Sequence, residues 1–526
     1  MPETVTPLAG VRIIECSMLG PAAVTTALAD LGAEVIKVEP PQGDYVRSMT
    51  WPIVDGTSLM HLHVNRGKRG IVLDLRTPGG RAVFLDLVRG ADAVVEAMRP
   101  GGLARRGLGF EALRAVNPAI VLLTISGYGL TGPYKDYPSH GVAYDTWAGV
   151  VTPVVDDDGF TAIPEHVSLG INAGPLYGSL GILAGILAAR ATGVGRWLEV
   201  AQSDAAAAVD WLRSETHRAY ERPPHEVTGN ASDGGRRRLP GTAGMAEGVR
   251  YNIYASSDGH VLFMASEREF WRNFCVGVGR ADLFDRYPGE RYADHAAGNI
   301  ALRRELRAVF LTRTSAEWIA FGGRVNTPIA PVNTPRTLAD DPQFADRLPW
   351  IPRESLGADQ LPIPIRIVDG DLPHPARAPR VGEHTAEVLR DVLGYDDARI
   401  DRLRAEGALG RGDARDDTPN RQHTPTPRAH RTRRPRGTRR TRQPARPAEL
   451  RRGERACRDS AGGGDSAGGG GRRVVTRLRR HRAAPPAGGW CCAPGPGRRS
   501  AGRAGRTPRR PRRPPRPASS STACRR

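Results

Sequence analysis

Over the first 200 residues, short apolar runs alternate with stretches whose apolar positions recur at helical spacing. The runs at 11–15, 34–38, 71–75, 93–96, 120–125 and 197–201 read as buried strands. Residues 22–31 read as a helix closed by Gly32. Residues 78–89 read as another, with Pro78 in its first turn and Gly90 just past its end. Strand and helix alternating at this pace predict an α/β fold built on a parallel sheet.

Farther on the pattern changes. Residues 173–189 (AGPLYGSLGILAGILAA) are almost uniformly apolar but carry four Gly and a Pro, and Arg190 closes the run. A membrane span usually needs about 20 apolar residues, so a buried helix of a soluble protein is expected. Gly174, Gly178, Gly181 and Gly185 would let another backbone approach it closely. A long helix is expected over 205–220. Residues 222–244 are turn-rich and polar and mark a boundary. Beyond it, 251–254 and 260–265 predict a β-hairpin through Ser257-Asp258-Gly259. A broken helical section follows over 267–320, then a short apolar run at 327–332 and a helix at 385–393.

Charge divides the chain in two. The net charge of +20 invites a nucleic-acid reading. Yet residues 411–526 hold 33 Arg, no Lys and 7 acidic residues, a net of +26, which leaves −6 on residues 1–410. The tail has no Ile, Phe, Met or Tyr and cannot bury enough apolar surface to offset the entropy of ordering, so it is expected to be disordered. Trp490 is its one aromatic residue, so it offers no stacking platform, and only non-specific attraction to nucleic acid is expected of it. Rich in Arg, Pro, Gly and Ala without periodicity, it reads either as a frameshift product or as an extension.

Composition and motifs exclude several classes. Only Cys16 and Cys275 lie in residues 1–410, which fits a reducing, cytoplasmic setting without a disulfide framework. Residues 1–10 show no secretory signal, and no membrane association is expected. There is no G-x-x-x-x-G-K-[ST], no H-E-x-x-H and no paired C-x-x-C, and no metal site is expected. Two cation sets would suit a phosphorylated ligand: Arg66, Lys68 and Arg69 (NRGKRG) before one strand, and Arg99 and Arg105 (MRPGGLARRG) after another. Open α/β sheets bind ligands at the carboxyl ends of their strands, where cations would pair with phosphates. A solvated basic loop is the competing reading.

The segments PLAGVRIIE, LADLGAEVIKVEPPQGDYVR, NRGKRGIVLDL, ADAVVEAMRPGGLARRGLGF, NPAIVLLTISGYGLTGP and GILAGILAARATGVGRWLEVAQSDA follow one another in order. With TPIAPVNTPRTLADDPQF and HTAEVLRDVLGYDDARIDRLRAEGAL near the end, the body from Pro7 to Leu409 resembles the family III CoA-transferases, or CaiB/BaiF family. That family also includes the α-methylacyl-CoA racemases. The resemblance implies a Rossmann-like large domain (1–221) completed by a return segment (327–410), and a smaller α+β domain (222–326). Two chains would interlock as a homodimer, and the 174–185 glycines would suit such an interface. It implies coenzyme A and acyl-CoA as substrates with no tightly bound cofactor, and a small carboxylic acid as acceptor. By resemblance, CoA binding falls on Lys37, Lys68, Arg69 and Arg105.

In family III transferases an Asp carboxylate attacks the acyl-CoA carbonyl and carries the acyl group as an anhydride. By resemblance that position is Ile171, which has no lone pair to offer. Glu165 is the one nearby substitute, with a solvated loop carboxylate as its competing reading. His140 stands where the racemase branch keeps a catalytic His, and an imidazole suits proton chemistry near neutrality. His166 is a further candidate. Three readings stay open: a CoA-transferase-like enzyme with an altered site, racemase- or isomerase-like proton chemistry through His140, and a non-catalytic acyl-CoA-binding homologue.

Overall fold

In a computed structural model, residues 3–410 are described except 50–51, 166, 228–246 and 290–294. His166, the tail at 411–526 and most of the polar boundary at 222–244 therefore lie outside the described residues.

Six parallel strands form the central sheet: β1 (Arg12–Cys16), β2 (Glu34–Glu39), β3 (Lys68–Val72), β4 (Ala93–Glu96), β5 (Val121–Ser126) and β6 (Trp197–Ala201). Their order is β6-β5-β4-β1-β2-β3. The chain builds outward from β1 to β3, then crosses back to lay β4 on the other side of β1. The carboxyl ends of β1 and β4 thus flank a topological switch point, where the crossover loops diverge and leave a crevice. The central strands β1, β4 and β5 carry Val/Ile/Leu runs because helices cover both faces of the sheet there.

The third strand begins at Lys68, three residues earlier than the apolar pattern indicated, because Val35 of β2 pairs with Lys68 and Ile36 with Arg69. A lysine and an arginine therefore open a strand that hydrophobicity alone starts at Ile71.

Helices α1 (Ala23–Asp30), α2 (Leu59–Asn65), α3 (Pro78–Arg89), α4 (Phe110–Val116), α5 (Gly141–Trp147), α6 (Leu169–Thr192) and α7 (Gln202–Val209) complete the large layer. The helix expected over 205–220 is two, broken at Asp210, where ψ of 28° leaves the helical region. Two core clusters sandwich the sheet. One joins Ile14, Ile36, Phe84 and Leu122 to Val388, Leu389, Ile400 and Leu403, so the returning helices Thr385–Asp391 and Asp397–Ala405 pack over α3. The other joins Ile13, Val24, Val95 and Leu123 to Ile182 and Ile186 of α6.

α6 has the length and apolarity of a membrane span, yet one of its faces lies against the sheet. A methyl group on Gly178 would sit 2.9 Å from Val24, and one on Gly185 would sit 2.8 Å from Val121. The glycine stripe thus brings α6 onto its own core. The opposite face leaves Leu176, Leu180 and Leu187 exposed, Leu187 by 71%.

A third, separate core lies in residues 249–329. The expected hairpin forms from β7 (Tyr251–Ala255) and β8 (His260–Met264), and β9 (Ile329–Pro331) adds a third antiparallel strand. Its interior is aromatic: Phe263, Trp271, Phe274, Phe310 and Trp318 pack ring against ring.

Candidate active site

The carboxyl ends of five strands open into one cleft of about 1120 Å³. Cys16 and the 17–22 loop border it after β1, Glu39 and Pro40 after β2, and Leu73–Arg76 after β3. Ala97–Arg99 follow β4, and Ser126–Tyr128 follow β5. The far wall is the 135–141 segment leading into α5, with Ile171 in the first turn of α6. This is where strand order alone puts a ligand.

His140 lines the cleft at the N-cap of α5, its ring exposed and free of hydrogen bonds to the described residues. Ile171 faces it from α6, and a methyl on Gly141 would lie 3.3 Å from the Ile171 side chain. Asp145, buried one turn into α5, accepts a 2.8 Å hydrogen bond from the Gly170 amide and thereby ties the start of α6 to α5. Pro175 cannot donate to the Ile171 carbonyl one turn earlier, and that carbonyl lies on the side of Gly20. Tyr144 bonds Ser139 at 3.2 Å and stands edge-on to Tyr128, giving this end of the cleft an aromatic wall.

Of the four cations assigned by resemblance to CoA, only Arg105 faces the cleft. It is exposed on the segment after β4, beside the equally exposed Arg99. Arg76, which the sequence reading passed over, lines the opposite side after β3. Lys37 and Lys68 lie beneath the cleft floor with no exposed side-chain surface, both paired with Glu15, at 3.2 Å and 2.6 Å. Arg69 lies toward the amino end of β3, bridging Glu34 and Glu387 at 2.7 Å each. Arg66 is buried against Asp30 through Nε and Nη2. The physical reason is register: NRGKRG enters the sheet at the amino end of β3, and the ligand crevice is at the carboxyl end.

Glu15 collects the buried charge. Burial by itself would raise its carboxyl, but the Lys68 and Lys37 ammonium groups and hydrogen bonds from Lys68 and Thr25 hold it at about 2. Burial works against the Lys37 ammonium too, and the carboxylates of Glu15, Asp44 and Glu39 outweigh it and raise its affinity for the proton. Burial, then Glu96 and Glu15, push the Cys16 thiol far up, so this cleft-floor cysteine stays protonated and inert.

Glu165 is exposed in the loop ahead of α6 and is not among the residues lining the cleft. Three carboxylates do line it. Glu39 pairs with Arg47 at 2.7 Å and Asp74 with Arg76 at 2.8 Å. Asp136, four residues before His140, has no ion-pair partner among the described residues. Its place in the cleft comes from the 131–138 loop, which carries no local motif. Among the described residues no cluster of three metal-ligating side chains occurs.

Residues 8–385 match CoA-transferase family III. A succinate–glutarate CoA-transferase of Agrobacterium fabrum is 31% identical over 409 residues, covering 74% of this chain and 97% of that protein. The beta subunit of a succinyl-CoA–L-malate CoA-transferase of Chloroflexus aurantiacus is 28% identical, over 77% of this chain and 99% of its own. Among solved structures, a CaiB/BaiF family protein from Brucella suis superposes with a TM-score of 0.60 at 28% identity, over 74% of this chain and 100% of that one.

Proposed function

The chain belongs to CoA-transferase family III, and on that premise we propose that its cleft takes an acyl-CoA thioester and passes the CoA to a small carboxylic acid. One observation carries the reading: a single crevice holds exposed Arg76, Arg99 and Arg105 together with His140 and Ile171. The arginines suit the phosphates of CoA, since a guanidinium pairs two-pronged with a phosphate and stays charged at any working pH. The thioester then extends toward the first turn of α6, beside His140 and the Tyr128–Tyr144 wall.

Transfer through a covalent carboxylate runs in balanced steps. The carboxylate attacks the thioester carbonyl and expels CoA thiolate, which leaves a mixed anhydride. The thiolate then attacks the enzyme's own carbonyl of that anhydride and releases the donor acid, and the acceptor acid repeats the cycle in reverse. Ile171 cannot take this part. Asp136 is the cleft carboxylate left without an ion pair among the described residues, and in our reading it is the group that carries the acyl chain. Hydroxylamine added to enzyme charged with succinyl-CoA should convert Asp136 to a hydroxamate, and Asp136→Asn should abolish the trapping. Binding of CoA with no trapped carboxylate anywhere would dismiss the anhydride route.

The exposed ring of His140 favours a second reading, proton exchange at the α-carbon of the acyl group. Solvent deuterium entering bound acyl-CoA, and no longer entering in His140→Ala, is its signature. Ile171→Asp separates the two, because transfer gained on restoring that carboxylate requires the rest of the transferase site to be intact. We further propose that the chain acts in the cytoplasm as a homodimer, with the exposed leucine face of α6 covered by a second copy.

A further inference from the structure

We infer that the buried Glu15–Lys37–Lys68 cluster positions the 17–22 loop of the cleft, and through that loop the thioester end of a bound acyl-CoA. The loop leaves β1 at Ser17 and enters α1 after Ala22, and Met18, Leu19, Gly20 and Pro21 all line the cleft. Each end is held by one lysine. Lys37 Nζ donates to the Ser17 carbonyl at 2.7 Å, and Lys68 Nζ donates to the Ala22 carbonyl at 2.8 Å. Glu15 joins the two lysines and also accepts from the Ser17 hydroxyl at 2.9 Å and from the Thr25 hydroxyl. Asn65 completes the setting: its carbonyl oxygen receives a third bond from Lys68, at 3.3 Å, while its amide faces the His61 ring.

What the clamp holds is strained. Leu19 sits at φ 60°, ψ −146°, a backbone region that residues with a side chain rarely occupy and that persists only when its surroundings impose it. Beside it Gly20 backs onto Ile171, where a methyl group would lie 3.5 Å from the Ile171 Cβ. Loosening either end of the loop therefore moves the wall that faces α6. The cluster reaches a second wall as well. Lys37 also pairs with Asp44 at 3.3 Å, and Asp44 caps the turn Tyr45–Ser48 by accepting from the Val46 amide at 3.0 Å. Tyr45 and Met49, on either end of that turn, line the cleft. Apolar side chains would fill this volume at least as stably as buried ions. What apolar side chains cannot do is donate hydrogen bonds to both ends of one loop.

The nature of the ligand rests on the function proposed above, whereas the positioning of the loop does not. The double variant Glu15→Gln/Lys37→Met removes one charge of each sign together with the Lys37 bond to the Ser17 carbonyl, and Lys37→Gln, which removes that bond but keeps a polar end, is the second variant should the double variant fail to fold. Hydrogen exchange followed by mass spectrometry should show amides 17–20 exchanging roughly tenfold faster, the weight of about one charge-assisted hydrogen bond, with β4 and β5 unchanged. In calorimetry, the affinity for succinyl-CoA should fall relative to that for free CoA, which itself stays within about twofold. Unchanged loop exchange in a folded variant overturns the inference, and so does a loosened loop that leaves the succinyl-CoA to CoA ratio intact. If the unaltered protein binds neither compound, the CoA reading fails and the exchange experiment still decides what the cluster does to the loop.

Discussion

Two groups of cations in this molecule do opposite work. Lys37 and Lys68 are sealed under the cleft floor, where carboxylates and backbone carbonyls use up their donors. Arg99 and Arg105 stand exposed on the cleft rim, free to meet an anionic ligand. In sequence both pairs are basic residues near strand ends. The difference lies in whether the residue is inside the sheet or on a loop beyond it, and how much water reaches it. A buried cation has already spent its charge on the fold, and an exposed one keeps its charge for binding.

The strongest way to break this comparison is Lys68→Met. It strips Glu15 of its shorter ion pair and leaves the Ala22 carbonyl without that donor. It should lower unfolding stability by about 3 kcal/mol, the usual cost of breaking a buried pair, measured by urea titration. A loss below about 0.5 kcal/mol would mean that Lys68 behaves like a surface group. Acid gives a second test with a definite sign. The Glu15 carboxyl, ordinarily near 4.5, is held at about 2 in the fold. Its stabilising contribution is therefore complete above about pH 4.5 and is lost as pH falls toward 2, by up to about 3 kcal/mol. Glu15→Gln should flatten that limb of the stability–pH curve.

The two faces of α6 offer the same contrast without charge. Gly178→Ala forces a methyl against Val24 and should cost about 2 kcal/mol by overpacking. On the rim, Arg105→Ala should weaken CoA binding roughly tenfold in calorimetry while the urea midpoint stays put. Leu180→Asp, at the exposed face of α6, is similarly mild for the fold. It should change protomer stability by less than about 0.5 kcal/mol, yet convert the proposed homodimer to monomer in sedimentation.

Much of the fold was legible in the residues, and for one reason: burial on both faces of a parallel sheet leaves apolar runs that periodicity detects. All six strands were visible, as was the 251–264 hairpin. The misreadings share a cause as well. Polar residues opened β3, so its start was placed too late, and a single non-helical residue at Asp210 divided one expected helix into two. The short helices α2, α4 and α5 lie below the length at which an apolar stripe stands out. At the site, His140, Ile171 and Arg105 were found by resemblance and do share the cleft, whereas Glu165 does not reach it. Arg76 and Asp136 escaped notice because their loops carry no motif.

The sequence by itself determined that the first 410 residues form an α/β protein of the family III type, and that the basic charge belongs to the tail. The fold class follows from local periodicity and the charge division from composition, while the family type rests on the resemblance of the ordered segments to family III. Which cations face a ligand was decided only by tertiary structure. Strand order and register set which end of the sheet a residue occupies, and pairs such as Glu15–Lys68 and Lys37–Asp44 exist only after strands distant in sequence lie side by side. The glycine stripe of α6 shows the same division. Its small residues were plain to read, and only the packed sheet revealed that the surface they approach is the protein's own core.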